Sequence, residues 1–183
     1  TLLADDNPTP EQITELARIF AETHAHVHVA RNIGLEFAPQ VEFFEAVLER
    51  IDVLDEPFKN AVAQRLREIG GGESVCHGDY HPYNVILSER GPVVIDWNNS
   101  HLGNPLEDVA RVKLMLTGIT MQMPSVKPAI ERFRDVYLTR YFEITQADES
   151  QVEAWWPVVC AIRLADSIPE LQDWLLEEIR KSF

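Results

Sequence analysis

Apolar residues recur at helical spacing over most of this chain. Thr9, Pro10 and Gln12 form a capping-box pattern with Pro at the first helical position. Ile13, Leu16, Ala17, Phe20 and Val27 then keep one face, which predicts a helix to about residue 28. A second helix is expected after Pro39, with Val41, Phe44, Leu48 and Ile51 on one side. A third begins near Pro57, buries Phe58, Val62, Leu66 and Ile69, and stops at Gly70-Gly71-Gly72.

The period then shortens. Ser74-Val75-Cys76 reads as extended. Asn84 to Leu87 and Val93 to Asp96 are two short apolar runs around the turn Ser88-Glu89-Arg90-Gly91-Pro92, which predicts a small antiparallel hairpin. Helices resume after Pro105. Gly118 is expected to end the first of them. Another starts near Pro128 with Ile130, Phe133, Tyr137 and Tyr141 on its stripe. A long one from Asp148 carries Val152, Trp155, Val159 and Ile162. In the last, Ser167 and Glu170 read as a capping box, and Leu171, Trp174, Leu175 and Ile179 form the apolar face. The expectation is one domain over 1–183, α+β but mainly α, with a small β element in its middle.

Composition narrows the function. The 183 residues are 45% hydrophobic and 25% charged, with a net charge of -14 and a pI near 4.7. A nucleic-acid partner is excluded by this balance, because such a partner demands clustered Lys and Arg. A cationic ligand is compatible with it, as is plain solubility. Cys76 and Cys160 form no motif and fit a reducing, cytoplasmic setting. No apolar run reaches the roughly 20 residues of a membrane span, so no membrane partner is expected. Thr1 to Asp6 lack the basic-then-apolar order of a leader, and the chain does not start with Met.

The β element holds the densest cluster of reactive side chains. Asp79 precedes Asn84 by five positions, and Asp96 follows the apolar run Val93-Val94-Ile95. Phosphoryl transfer needs a carboxylate to take the proton of an attacking hydroxyl and oxygen ligands to hold Mg²⁺ on nucleotide phosphates. A hairpin between Asn84 and Asp96 can return the second ligand beside the first. Each residue also has a plainer reading: Asp79 and Asn84 as turn formers, Asp96 as a solvated strand end, and Asp108 as an acid in the first turn of a helix.

His77-Gly78-Asp79-Tyr80-His81-Pro82-Tyr83-Asn84 resembles the HGDxHxxN catalytic loop of the aminoglycoside phosphotransferase and choline kinase family, whose fold is protein-kinase-like. Val94-Ile95-Asp96-Trp97 resembles the family's metal-binding IDW, and Gly103 to Arg111 is similar to its GxPxxDxA element. The resemblance implies Asp79 as catalytic base and Asn84 and Asp96 as Mg²⁺ ligands. It implies supporting roles for His77, His81 and Asp108, and ATP or GTP as co-substrate. Where protein kinases carry Arg before the catalytic Asp, this chain has Gly78, which removes the residue that would read an activation-loop phosphate. Trp97 is expected in the core. The acceptor implied is a hydroxyl of a small molecule, often cationic: an aminoglycoside, choline or a related metabolite. The segment from Glu143 onward is acidic, and Asp166, Glu170 and Asp173 are candidate contacts for such an acceptor. Trp155, Trp156 and Trp174 could add a cation–π box, though their spacing also suits a core.

The resemblance reaches only the C-terminal lobe. Lys59, Lys113, Lys127 and Lys181 lie on no strand that leads to a helix with a partner Glu, and the Gly70 cluster joins no strands. The N-terminal nucleotide lobe is not in this chain: it is expected elsewhere in the same protein if this is a fragment, the favoured reading, and is missing if the protein is naturally short. The chain alone is expected to be inactive. Two rival readings stay open. One is a metallohydrolase built on His77, Asp79 and His81, with His101 as a further ligand. The other is a kinase-like module that binds without catalysis. His24, His26 and His28 alternate at the end of the first helix, and polar contacts there are favoured over a metal pair.

Overall fold

The computed structural model describes residues 8–30 and 36–183; Thr1 to Asp6, read above as lacking the order of a leader, lie outside them. Helix α1 spans Pro10–Val29 and opens with the expected capping box: Gln12 N–H reaches the Thr9 hydroxyl, and the Gln12 side chain returns to the Thr9 N–H. Its buried face, from Ile13 through Ala17, Phe20 and His24 to His28, lies along α5 (Lys127–Thr145). Phe133, Tyr137 and Tyr141 of α5 meet it, with Phe20 and Phe133 ring centres 5.3 Å apart. Aromatic side chains dominate this seam because each buries a large apolar area.

Helices α2 (Gln40–Leu48) and α3 (Glu56–Ile69) follow, with Phe44, Leu48, Val62 and Leu66 in the core. Ile51 lies beyond the end of α2 but is buried all the same. Strand β1 (Ser74–Cys76) pairs antiparallel with β4 (His101–Gly103), setting Cys76 opposite His101. Between them stands the hairpin of β2 (Val85–Ser88) and β3 (Gly91–Val94), in the register Val85 to Val94 and Ser88 to Gly91. The expected loop is thereby shortened: Ser88, Gly91 and Pro92 belong to the strands. The β1–β4 pair was not foreseen, since three-residue strands carry too little alternation to register.

Helix α4 (Pro105–Gln122) does not end at Gly118, which corrects the sequence expectation. Gly118 is buried inside the helix, and a Cβ there would stand 3.2 Å from Cδ1 of Leu171 on α7 (Pro169–Ser182). The glycine allows this close approach, which offsets its roughly 1 kcal/mol helix penalty. The expected long helix from Asp148 is split. Glu149–Trp155 is a 3-10 segment, and α6 is Trp156–Leu164. Pro157 lacks the N–H that would have continued an α-helix across the junction. Ser167 does not cap α7; it adopts φ 52° in the turn leaving α6, and Ile168 takes the cap position without a side-chain bond. No helix among the described residues is long and apolar enough to cross a membrane.

Candidate active site

The site is built on the loop from His77 to Asn84, which leaves β1 and enters β2 through a 3-10 turn at Pro82–Asn84. One carboxylate anchors its start. Asp108, in the first turn of α4, accepts hydrogen bonds from the backbone N–H of His77 at 2.6 Å and of Gly78 at 3.0 Å. Its Oδ2 is also within reach of Nε2 of His24 (3.2 Å) and of His28 (3.3 Å). The two imidazoles are completed on their Nδ1 sides by the hydroxyls of Tyr137 and Tyr141, at 2.8 and 2.7 Å. His24 and His28 are therefore polar struts, and they tie the end of α1 to α5 and to the loop. The exposed His26 bonds within its own helix, to the Glu22 carbonyl. Tyr80 stacks on His24 with ring centres 3.8 Å apart and donates to the Phe20 carbonyl.

This network has a defined charge state. Burial, then the neighbouring His28, push His24 from 6.5 down to about 3, against the pull of Asp108. Burial by itself would raise Asp108, but bonds from His24 and His28 hold it well below the usual carboxylate range. The unfolded chain binds a proton at His24 below about pH 6.5, whereas the folded chain does so only near 3. Stability from this group is thus fully present above pH 6.5 and falls as pH drops, by roughly 1.4 kcal/mol per unit. The depressed Asp108 adds a loss at still lower pH. Urea unfolding from pH 7 to pH 4 should show the first decline; a flat profile would refute it.

Gly78 has φ +74°, and a Cβ there would stand 2.3 Å from the Asn99 carbonyl oxygen. Only glycine fits this left-handed, closely approached position. The Gly that separates this loop from the protein-kinase pattern is thus required by local packing. His77 donates from Nε2 to the Ile95 carbonyl (3.0 Å) and accepts at Nδ1 from Asp79 N–H (3.2 Å). With its proton on Nε2 and its lone pair in use, it has no free nitrogen for a metal. That breaks the HxDxH set of the metallohydrolase reading. His101 also leaves that set, because it faces Glu107 and Cys76.

The hairpin returns the chain as its spacing suggested. Ile95 N–H donates to the Asn84 carbonyl at 3.0 Å, which brings Asp96 back toward Asn84. The Asn84 amide nitrogen holds the Asp79 carbonyl at 3.1 Å and leaves Oδ1 for a cation. Asp96 sits at φ 64° and accepts from Asn98 at 2.5 Å. Asn84 Oδ1 and the Asp96 carboxylate are hard oxygen donors, the kind Mg²⁺ prefers. Trp97 is not core, which corrects the expectation: it is 38% exposed, its ring lies 4.8 Å from His77, and its indole donates to the Val94 carbonyl.

The Asp79 carboxylate is one-quarter exposed and has two basic neighbours. Its Oδ1 is 3.8 Å from Arg111 and its Oδ2 is 3.6 Å from His81 Nε2. Burial lowers His81 below the ordinary imidazole value despite the pull of Asp79. Arg111 was quoted as the end of the GxPxxDxA-like element but assigned no role. It is nearly buried and bridges Asp79 to Asp166, 3.1 Å away. Its position one helical turn after Asp108 was the available signal. Arg163 also pairs with Asp166, at 2.7 Å. Asp166 is therefore charge-compensated, while Glu170 and Asp173 stand exposed on α7. Of the tryptophans, Trp155 is core; Trp156 and Trp174 pack edge to face at 6.3 Å, with Lys113 over Trp156. An apolar cleft of about 240 Å³ opens beside His81, Pro82 and Tyr83, with Met115, Phe133 and Arg163 in its wall.

A helical body presenting a short loop and hairpin in this way is a kinase-like lobe. The chain belongs to the phosphotransferase enzyme family (APH), whose model matches residues 1–155. In fold it is similar to the choline kinase LicA from Streptococcus pneumoniae, at 20% identity and a TM-score of 0.59, over 99% of this chain and 67% of that one. LicA in complex with AMP matches at 21% identity and a TM-score of 0.56, over 94% of this chain and 62% of that one. The chain thus spans about two thirds of the length of these kinases. No curated protein matches it in sequence.

Proposed function

We propose that this chain is the catalytic lobe of an ATP-dependent kinase that phosphorylates a hydroxyl of a small molecule, an aminoglycoside, choline or a related metabolite. Asp79 orients the acceptor hydroxyl and takes its proton as the bond to phosphorus forms. Asn84 and Asp96 would hold Mg²⁺, which supplies neutralisation of the nucleotide phosphates. His77 and Asp108 fix the loop; Arg111 steadies the Asp79 carboxylate. The observation that carries this reading is the pair of bonds at Ile95, to the Asn84 carbonyl and from His77. They tie the segment that carries Asp96 to the loop that carries Asp79 and Asn84, which supports the reading.

An upstream nucleotide lobe of the same protein completes the proposal, with GTP as the alternative donor. Two observations support it. The structural neighbours are longer than this chain. The hairpin also exposes Ile86, Leu87, Val93 and Ile95, an apolar surface of the kind that a neighbouring lobe covers. With Asp166 paired to two arginines, a cationic acceptor would have to be met by other groups.

The test is a transfer assay with aminoglycosides and amino alcohols, using protein extended upstream of Thr1. Mg²⁺-dependent phosphorylation of one acceptor class is expected, with negligible turnover by the 183-residue chain alone. Absence of both transfer and Mg²⁺-dependent nucleotide binding in the extended protein would overturn the proposal.

A further inference from the structure

A second cluster lies next to the loop anchor and is left unused by the phosphotransfer reading. Cys76 and His101 face each other across the β1–β4 pair, and Glu107 lies in the first turn of α4. All three are fully buried, and one ligand atom from each falls within 4.8 Å of the others.

With His101 neutral, the hydrogen-bond chemistry of this cluster does not close: the Glu107 carboxylate is left without a donor. His101 Nδ1 is 3.0 Å from the Asn99 carbonyl, which can only accept, so the ring proton belongs on Nδ1. In the neutral ring Nε2 then carries a lone pair. It lies 3.2 Å from Glu107 Oε2 but is not aligned as a hydrogen bond, and neither carboxylate oxygen of Glu107 has a donor. Gln40 cannot resolve this. Its Oε1 accepts from Gly71 and Asn104 N–H, and its two amide hydrogens go to His101 Nε2 and the Asn104 carbonyl, each 3.4 Å away, so none reaches Glu107. A bare buried carboxylate is among the costliest things a fold can hold. Here it faces a nitrogen lone pair and a sulfur.

We infer that Cys76, His101 and Glu107 bind a structural divalent metal, with Zn²⁺ as the ion their chemistry selects. A thiolate, a carboxylate and a neutral imidazole balance a 2+ charge, and the mixed S, N and O donor set suits zinc over magnesium. The bond from the far ring nitrogen to a backbone carbonyl is the usual support of a metal-bound histidine. A water completes the four-coordinate shell. The site would act on the catalytic loop through its neighbours in sequence. Cys76 precedes His77 and Glu107 precedes Asp108, and His77 N–H is bound to that same Asp108 carboxylate. The alternative is a proton on His101 Nε2, giving an imidazolium–carboxylate pair that holds no metal.

Chelator-stripped full-length protein should take up one Zn²⁺ per chain by elemental analysis and melt at a higher temperature once loaded. Co²⁺ in its place should give a thiolate-to-cobalt absorption band in the near ultraviolet. Cys76→Ser and Glu107→Gln should each weaken zinc retention at least tenfold. Cys160→Ser, His81→Ala and the double variant Asn84→Ala with Asp96→Ala should leave it unchanged, which separates this site from both the proposed Mg²⁺ site and the HxDxH set. If Cys76→Ser fails to fold, the cobalt band of the unmutated protein still decides. No zinc uptake, no cobalt–thiolate band, or zinc retained in a folded Cys76→Ser variant would overturn the inference.

Discussion

Replacing Asp79 by Asn in the protein with its nucleotide lobe is expected to lower kcat by roughly 10²- to 10⁴-fold, the usual contribution of a positioned general base. The amide keeps the size of the side chain but cannot take the hydroxyl proton. Nucleotide affinity should change little, because the proposed metal ligands Asn84 and Asp96 are untouched. Stability should also change little, within about 0.5 kcal/mol, since the side chain is partly exposed and its ionic neighbours stand 3.6 and 3.8 Å away. Steady-state kinetics beside a thermal melt checks both halves. An Asp79→Asn enzyme with near-normal kcat would remove Asp79 from the chemistry.

Asp108→Ala should produce the largest loss of stability. It strips the acceptor from two backbone N–H groups and two buried imidazoles at once. A buried donor left unpaired costs roughly 1–3 kcal/mol, and water entering the space recovers part of this. Loss of one partner from a buried charged network costs about 3–5 kcal/mol in all. In a domain of this size that corresponds to a drop in melting temperature on the order of 10 °C. Activity should fall with it, because the carboxylate positions the backbone two residues before Asp79. Urea unfolding measures the effect; a cost below about 1 kcal/mol would show that the network is dispensable.

The two predictions differ in how far the sequence anticipates them. The candidate base was legible because Asp79 sits in a run of eight residues whose types and order are unusual together. Asp108 was legible only as an acid early in a helix, and its bonds to the loop were implied by resemblance. Its bonds to His24 and His28, 84 and 80 residues away in sequence, were not. Those histidines were read as polar contacts at a helix end, which they make, but their partners lie on other elements. Arg111 passed unassigned for the same reason: a basic residue in a helix has no local mark of the carboxylates it will meet. Trp97 was misplaced because an aromatic residue beside an apolar run looks like core, whereas the hairpin stands proud of the helical body.

By itself the sequence determined the helices, through apolar periodicity and Pro placement, and the order of the loop, hairpin and metal-ligand candidates, through local spacing. These depend on residues a few positions apart, where backbone geometry fixes what can be near what. Only the tertiary structure decided that Gly118 lies within α4, that β1 finds β4, that Asp108 gathers four donors, and that Cys76, His101 and Glu107 converge in the buried interior. Each of these depends on contacts between distant segments, and such contacts exist only once burial has driven the helices together and removed the water that would otherwise satisfy those groups.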